Sequence, residues 1–237
     1  MNVKILFNGS SLQDGLSVGW GVSFLIDNRI LFDTGEKGYL LANNIKKLEI
    51  NLSDIENIVI SHDHWDHTGG LWDILKKKSN VRVYGCAGFS DEFKSKVKSG
   101  KGQLIEVNDF TKISKDVYIT GEIKGEYKNK DISEQAMILD TKMGLTVITG
   151  CAHPGILEIL YKVKKKFSDK QFYCAFGGFH LMNKQPRNID SLVTEFQKIG
   201  ITKVGPTHCS GTEAENIFRE TYKNNFLTMK VGESFTV

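Results

Sequence analysis

The sequence lacks the long hydrophobic run and the leader segment that would mark a membrane or secreted protein. No apolar stretch approaches the roughly 20 residues that a membrane-spanning helix needs. The first residues, MNVKILFNGSSLQDG, contain neither the extended apolar segment nor the small-residue cleavage site of a secretory signal. We therefore expect a cytoplasmic protein with no membrane partner.

Cysteine is scarce and widely spaced. The four cysteines are Cys86, Cys151, Cys174 and Cys209. They form no CxxC pair, which argues against a zinc knuckle and against a disulfide framework. Two of them nevertheless lie close to a histidine in the sequence, at Cys151 and Cys209.

The chain also has little excess charge of either sign, since its formal net charge is +3. Lysine runs at 76–78 and 162–166 fall on predicted amphipathic helices, where they are interpreted as solvated helix faces. A nucleic-acid partner is therefore not expected.

Segments typical of strands alternate with segments of helical periodicity along the chain. We predict strands at 3–7, 21–26, 30–33, 57–61, 81–84, 104–107, 117–121, 136–139, 145–149, 172–175 and 201–204. We predict helices at 38–48, 71–78, 90–98, 156–167, 189–199 and 213–222. The polar segment Lys124–Ser133 is predicted as a surface loop. This alternation favours helices packed on sheets within one α/β domain spanning residues 1–237.

Histidine is also rare, yet three of the six histidines lie in the stretch ISHDHWDHTGG at residues 60–70, behind an apolar strand. The other three, His153, His180 and His208, also follow predicted strands. Side chains at the carboxyl ends of strands tend to converge in α/β folds. We therefore expect all six imidazoles to meet at one edge of the structure.

The histidine stretch has the spacing of a metal site. Imidazole and carboxylate groups are good ligands for zinc, iron or manganese. The H-x-H alternation can direct His62 and His64 toward one ion, while Asp66 and His67 can turn toward a second. Asp63 is predicted to stabilise the loop and not to bind metal.

Three motifs resemble those of the metallo-β-lactamase superfamily. They are FDTG at 32–35, SHDHWDHTGG at 61–70 and THCSG at 207–211. Within that superfamily, TGCAHPGI, GGFHL and HCSG resemble a subgroup of metal-dependent hydrolases that includes the archaeal dihydropterin ribofuranosyl-aminobenzene phosphate synthase-like proteins. The resemblance covers nearly the whole chain.

This resemblance implies an αββα sandwich with a dinuclear metal site at one edge of its two sheets. The implied ligands are His62 and His64 for the first ion and Asp66, His67 and His208 for the second. Asp33 would be a supporting residue behind the metal loop.

The chain departs from the superfamily at one position. Many members carry a bridging aspartate after a strand that reads TGD, whereas this chain reads TGC at 149–151. Cys151 could bind or bridge an ion, but we favour a buried structural role for it. We expect His153 to complete the first site in place of part of the missing ligand.

His180 remains open between two roles, a metal ligand and a catalytic acid on the substrate side. Gly177 and Gly178 precede it and predict a mobile loop. Three large side chains lie beside candidate ligands. We predict core packing for each of them, with lining of the substrate pocket as the alternative. They are Trp65, Phe179 and Met182.

A dinuclear site favours hydrolysis because a divalent metal lowers the pKa of bound water from about 15.7 toward 7. Asp66 would orient that water and receive its proton. We predict hydrolysis of an ester, lactone or phosphoester bond in a small-molecule substrate. Two divalent ions are expected, with zinc favoured and iron or manganese open. The oligomeric state is not predicted.

Other functions compete with this hypothesis. A pterin-pathway synthase-like enzyme could use the same metal site. An oxygen-reducing di-iron protein is disfavoured, because that branch typically has glutamate where this chain has His64. A nuclease is disfavoured because we find no inserted RNA- or DNA-binding region. A non-enzymatic metal-binding or regulatory module would follow if the TGC substitution disabled one ion site.

Overall fold

The computed structural model describes residues 1–237 and consists of two β-sheets, one separate hairpin and flanking helices. The strands are β1 (Asn2–Phe7), β2 (Ser23–Ile26), β3 (Ile30–Phe32), β4 (Asn57–Val59), β5 (Arg82–Cys86), β6 (Gln103–Val107), β7 (Thr111–Ser114), β8 (Val117–Ile119), β9 (Ile123–Tyr127), β10 (Lys130–Glu134), β11 (Met137–Thr141), β12 (Gly144–Thr149), β13 (Phe172–Gly178), β14 (Lys203–Thr207) and β15 (Ser234–Thr236). The helices are α1 (Gly38–Lys47), α2 (Trp65–Thr68), α3 (Leu71–Lys77), α4 (Asp91–Ser99), α5 (Ile156–Lys166), α6 (Pro186–Lys198) and α7 (Gly211–Tyr222).

Each sheet contains a block of parallel strands. The first sheet has the order β15-β1-β2-β3-β4-β5-β6, and β3 to β6 run parallel to one another. The second sheet has the order β14-β13-β12-β11-β8-β7, and β12 to β14 run parallel. Loops that leave the carboxyl ends of neighbouring parallel strands emerge on the same side of a sheet, which is where ligand sites of α/β folds form.

The core has three layers, which follow from the period-two alternation of strand side chains. On β2, Phe24 and Ile26 pack between the two sheets, whereas Leu25 packs toward α1, α3 and α4. On β12, Ile148 packs between the sheets and Val147 packs toward α5, α6 and α7. The helices therefore cover the outer faces of two stacked sheets, and the predicted αββα sandwich is confirmed.

The helices have the apolar stripes that this packing requires. In α5 the buried residues recur at helical spacing, whereas the last turn carries a run of lysines. The buried residues of α5 are Ile156, Ile159, Leu160 and Val163. The hydroxyl of Ser90 accepts a hydrogen bond from the Phe93 amide at 3.3 Å and caps α4. None of the helices has the length and the apolar character that a membrane crossing requires.

The segment Lys124–Ser133 is not a surface loop, and that prediction is wrong. It belongs to the antiparallel hairpin of β9 and β10. The two turn residues, Lys128 and Asn129, have φ angles of 52° and 59°, as the tight turns of two-residue hairpins require. The polar composition concealed the strands, because only Ile123, Ile132 and Glu134 are buried in this hairpin.

Gly177 and Gly178 are also placed differently from the expectation of a mobile loop. Both residues belong to β13 and are buried. At Gly178, a Cβ atom would overlap the carbonyl oxygen of Gly150 and lie 2.7 Å from Cys209 Sγ. The glycine therefore permits a close approach between the loops that follow β12 and β14.

Gly178→Ala should destabilise the protein by about 1–3 kcal/mol, because the added methyl group forces these two loops apart. Gly9→Ala is the matched control, since a Cβ atom there meets nothing within 4 Å. Urea unfolding of both full-length variants measures the difference. Equal stabilities for the two variants would show that the loops tolerate the extra volume.

Candidate metal centre

All six histidines lie at one edge of the sandwich, as the sequence predicts. They are carried by the loops that follow β4, β12, β13 and β14. Their ligand atoms, with those of Asp66, Cys151 and Cys209, form five overlapping groups of three in which every atom lies within 4.8 Å of the others. The groups are His62–His64–His153, Asp66–His67–His208, His62–His67–Cys151, Cys151–His153–His180 and Cys151–His208–Cys209.

Asp33 is the buried carboxylate that orients two of these histidines. It follows β3 with a φ of 55°, a conformation that is uncommon for residues other than glycine. Its Oδ2 lies 2.6 Å from Nδ1 of His67 and accepts a hydrogen bond from the Ser61 hydroxyl at 2.7 Å. The same hydroxyl lies 2.9 Å from Nδ1 of His62. Because Ser61 donates to Asp33, it accepts from His62, and Nε2 of both histidines is directed away from these contacts.

Thr34, the next residue of the FDTG motif, fixes the backbone of the histidine loop. Its amide donates to the His67 carbonyl at 2.9 Å, and its hydroxyl donates to the same oxygen at 2.8 Å. The hydroxyl also accepts a hydrogen bond from the Leu71 amide at 3.0 Å. Asp33 and Thr34 together therefore hold both the ring and the backbone of His67.

Glu134 plays for His153 the part that Asp33 plays for His67. Its carboxylate is fully buried and accepts hydrogen bonds from the amides of Cys151, Ala152 and His153 at 2.7–2.9 Å. Its Oε2 lies 2.8 Å from Nδ1 of His153. Burial alone would raise the pKa of Glu134, but these donors lower it to about 2. The ionised carboxylate thus keeps the proton of His153 on Nδ1.

The first group, His62, His64 and His153, consists of imidazoles only. Burial lowers the pKa of His62 well below 6.5, and the neighbouring histidines lower it further. The pKa of His64 is lowered by the same causes. Both rings are therefore neutral, which is the form that binds metals. The rings of His62 and His64 lie 4.7 Å apart between centroids.

The second group, Asp66, His67 and His208, carries charge. Burial would lower the pKa of His67, but the Asp33 carboxylate raises it to about 10. Although burial disfavours its charged form, hydrogen bonds with His208 and His67 hold the pKa of Asp66 below its usual range. Oδ2 of Asp66 lies 3.3 Å from Nε2 of His67 and 3.2 Å from Nε2 of His208. Coordination through Nε2 of His67 has to displace one proton.

His208 differs from the other histidines in its backbone contact. Its Nδ1 accepts a hydrogen bond from the Gly21 amide at 3.1 Å, so the proton of a neutral ring lies on Nε2, on the side of Asp66. Gly21 has a φ of 105°, and a Cβ atom there would collide with the Asp66 carbonyl. Metal binding through Nε2 of His208 requires the Gly21 contact to break or the ring to turn.

His180 lies beside the first group and is half-buried. Its ring centroid is 4.7 Å from that of His153 and 6.0 Å from that of Tyr127. Contact with Cys209 raises the pKa of His180, and burial opposes this shift. The position is compatible with both roles that the sequence leaves open.

The donor set fits divalent metal ions. Two buried ring nitrogens have no hydrogen-bond partner, which is costly unless a ligand completes them. They are Nε2 of His62 and Nδ1 of His180. Neutral imidazoles, one carboxylate and a thiol suit zinc, iron or cobalt better than magnesium or calcium. Asp63 lies outside the groups, and its carboxylate accepts a hydrogen bond from the Ser90 amide at 2.8 Å.

A cavity of about 750 Å³ opens over the two groups. The predicted core packing is wrong for Trp65 and Met182, which are 59% and 49% exposed and line this cavity. It is correct for Phe179, which is 1% exposed in the core under α6 and α7. The hairpin contributes Tyr127, whose ring lies 5.0 Å from that of His64.

Sequence reasoning missed Glu134, Tyr127 and Cys209. Tyr127 lies within the segment predicted as a loop and Glu134 directly follows it, so nothing in the sequence separates them from surface residues. Cys209 directly follows a candidate ligand, and that adjacency was the one available signal. Four residues of the site have positive φ without being glycine, namely Asp33, Ala152, His180 and His208. Such conformations concentrate at functional sites.

Comparisons with known proteins agree with this geometry. The family model described as the metallo-beta-lactamase superfamily matches residues 20–127, which include Asp33 and the histidine loop. A solved metal-dependent hydrolase of the beta-lactamase superfamily has a TM-score of 0.84 and 28% identity, over 100% of this chain and 99% of its own. The chain has the metallo-beta-lactamase fold, and residues 20–127 match the model of that superfamily.

The relatives within this superfamily are named for different reactions. The 7,8-dihydropterin-6-methyl-4-(beta-D-ribofuranosyl)-aminobenzene-5'-phosphate synthase of Methanocaldococcus jannaschii is 29% identical over 98% of this chain and 96% of its own length. The short form of human tRNase Z has a TM-score of 0.65 at 15% identity, over 100% of this chain and 99% of its own, and it shares the fold alone. The comparisons thus establish a hydrolase-like fold and leave the reaction to be argued from the site.

Glu134→Gln should weaken zinc binding about 10–100-fold, the usual effect of removing a carboxylate behind a histidine ligand. The new amide group would donate to Nδ1 of His153 and move the ring proton to Nε2. Chelator competition on the purified protein measures the affinity. Glu158→Gln, on the exposed face of α5, is the matched control. A zinc affinity within about twofold of the parent would show that Glu134 does not set this tautomer.

Proposed function

We propose that the protein is a metal-dependent hydrolase whose dinuclear site activates water for attack on an ester, lactone or phosphoester bond. The observation that supports this most strongly is the pair of ligand groups, His62–His64–His153 and Asp66–His67–His208, side by side under one cavity. These two groups could hold adjacent metal ions, a pairing that would stabilise the attacking and leaving oxygens of such a reaction.

The two ions would be held by these two groups, and we favour zinc, with iron or manganese as alternatives. When bound, divalent ions supply Lewis acidity, which makes water a nucleophile near neutral pH and polarises the bond under attack. The carboxylates of Asp33 and Glu134 hold Nδ1 of His67 and His153 in the protonated form and leave Nε2 as the donor atom.

Asp66 is proposed as a ligand of the second ion and as the group that orients the attacking water. Its two imidazole neighbours keep the carboxylate ionised, which suits an anionic ligand that accepts a hydrogen bond. The same neighbours make it a weak base. We therefore give orientation more weight than proton acceptance in the role of Asp66.

His180 is proposed as the proton donor on the substrate side. It is half-buried at the wall of the cavity, and contact with Cys209 raises its pKa. A protonated imidazole at this wall could protonate a leaving oxygen on the side away from the ligand groups. A ligand role through the group Cys151–His153–His180 is the competing proposal for this residue.

The cavity suits a small molecule with both a planar and an anionic part. Its walls include Trp20, Trp65 and Tyr127, and its rim carries Lys128 and Lys184. These features, with the 29% identity to a synthase named for a dihydropterin and an aminobenzene phosphate, support a pterin-pathway synthase-like enzyme as the second candidate. Turnover of a generic phosphodiester or lactone without any condensation product distinguishes the hydrolase from the synthase.

The purified protein should hold up to two divalent ions. His62→Ala should remove the ion held by His62, His64 and His153 and should abolish hydrolysis. The reason is that His62 contributes to two of the five ligand groups and has an unpartnered buried Nε2. Elemental analysis after growth with zinc, iron and manganese measures the metal content. Lys165→Ala on the exposed face of α5 should change neither metal content nor rate. Less than about half an ion per parent chain would refute the metal centre.

Asp66→Asn should remove most of the turnover and leave the fold intact, because the amide keeps the volume but loses the anionic ligand. The matched control is Asp63→Asn in the same loop, since an amide oxygen can still accept the hydrogen bond from the Ser90 amide. Steady-state rates on a phosphodiester and a lactone, with circular dichroism as the folding check, provide the comparison. An Asp66→Asn rate within about twofold of the parent would exclude the residue from catalysis.

A further inference from the structure

Cys151 occupies the centre of the ligand cluster. It directly follows β12 and is buried, and it belongs to three of the five groups, more than any other residue. Its Sγ lies 3.4 Å from Nε2 of His67. A cysteine whose only task is to fill core volume would be surrounded by apolar side chains, but this sulfur is surrounded by metal-binding atoms.

The sulfur also lies between the two proposed ion sites. One group joins Cys151 to His62 of the first site and to His67 of the second, with all three ligand atoms within 4.8 Å of one another. Nε2 of His62 is fully buried, lacks a hydrogen-bond partner and is directed into this same space. An unpartnered buried nitrogen beside a buried sulfur indicates a position that a metal ion completes.

Hydrogen bonds to a buried carboxylate fix the backbone around Cys151. The amides of Cys151 and Ala152 both donate to Glu134 Oε1, at 2.9 and 2.7 Å. Ala152 has a φ of 59°, which turns the chain sharply and allows both the Cys151 sulfur and the His153 ring to face the cluster. The loop therefore presents two potential ligands, Cys151 and His153, from positions two residues apart in one turn.

We propose that the Cys151 sulfur bridges the two metal ions as a thiolate. This inference rests on the proposed dinuclear centre and specifies its shared ligand. A sulfur about 2.3 Å from each of two ions can join ions about 3.5–4 Å apart, the spacing of dinuclear hydrolytic sites. On coordination the S–H bond breaks, both metal–sulfur bonds use sulfur electron pairs, and the proton passes to solvent, so no oxidant or reductant is needed.

A bridging thiolate makes the centre selective for particular metals. Thiolate is a soft ligand that favours zinc, cobalt and iron over magnesium, calcium and manganese. The earlier expectation of a purely structural Cys151 is replaced by this proposal. His153 keeps its place in the first site, because its ring lies with His62 and His64 irrespective of the sulfur.

Cys209 is the competing thiol and fits the position less well. Its ligand atom joins a single group, Cys151–His208–Cys209, and no group contains both Cys209 and a member of the first site. Its Sγ lies 3.6 Å from the Cys151 carbonyl oxygen and packs beside Gly178. We therefore expect Cys209 to support the loop that carries Cys151.

Cobalt substitution of the full-length protein tests the proposal independently of turnover. The metal-free protein is loaded with Co²⁺, and the metal count, the near-ultraviolet thiolate-to-cobalt absorption and the electron paramagnetic resonance spectrum are recorded. The variants are Cys151→Ser, Cys151→Asp and Cys209→Ser. Cys174→Ala is the control, because Cys174 packs between the two sheets away from the cluster.

The parent, Cys209→Ser and Cys174→Ala should bind two Co²⁺ ions with the charge-transfer absorption and with spin coupling between the ions. Cys151→Ser should lose both the absorption and the coupling while retaining at least one ion. Cys151→Asp should bind two ions without the absorption, which shows that the variant folds and that a carboxylate can take the position.

Two results would overturn the bridge and leave the dinuclear centre standing. One is a parent that binds two Co²⁺ ions without thiolate absorption, and the other is absorption that survives in Cys151→Ser or disappears in Cys209→Ser. Less than about half a Co²⁺ ion in the parent would instead refute the metal centre itself, and the bridge with it.

Discussion

The Asp33 carboxylate orients histidines of both proposed metal sites, His67 directly and His62 through Ser61. Oδ1 of Asp33 accepts a hydrogen bond from the Ser61 amide, and Oδ2 contacts both the Ser61 hydroxyl and Nδ1 of His67. Through Ser61 the same carboxylate sets the ring of His62. A buried anion is unfavourable unless it is fully satisfied, so this arrangement tolerates little rearrangement. The orientation of ligands in both proposed metal sites therefore depends on one buried carboxylate.

The β9–β10 hairpin provides a second carboxylate of the same kind, Glu134. Asp33 follows β3 of the first sheet, whereas Glu134 ends β10 and receives the turn that follows β12 of the second. Each carboxylate holds one histidine through Nδ1 and also accepts hydrogen bonds from backbone amides. The cluster is thus assembled from two rigid halves that meet at the edge of the sandwich, as preorganised ligand sites require. The two sheets pack through side chains such as Phe24 and Phe176, whose ring centroids lie 5.2 Å apart. This packing sets the distance between the parts of the cluster that the two sheets carry.

Much of this architecture could be predicted from the sequence, for identifiable reasons. The pattern His62-x-His64-x-Asp66-His67 follows an apolar strand. Because loops after parallel strands emerge at one edge of a sheet, this pattern predicts where the ligands lie. Strands of the two sheets are strongly apolar, since both faces are covered, and this made β4, β12 and β13 easy to recognise. The FDTG and TGC motifs indicate Asp33 and Cys151 from the sequence alone.

Other features depend on contacts that leave no local signal. The β9–β10 hairpin is mostly exposed and polar, so its strands resemble a loop, and the buried Glu134 is indistinguishable in sequence from a surface glutamate. The glycines of β13 suggested mobility because sequence cannot show that Thr149 and Gly150 press against them. Trp65 and Met182 looked like core residues by type, yet they line the cavity. Long-range packing decides each of these cases.

Two adjacent metal ions at the edge of the sandwich are the central feature proposed for this protein. A crystal structure of the protein grown with zinc, with anomalous diffraction recorded on both sides of the zinc absorption edge, tests this directly. We expect two anomalous peaks about 3.5–4 Å apart. One peak should be bounded by His62, His64 and His153, and the other by Asp66 and His67, with His208 completing it. A single peak, or peaks away from these side chains, would contradict the account.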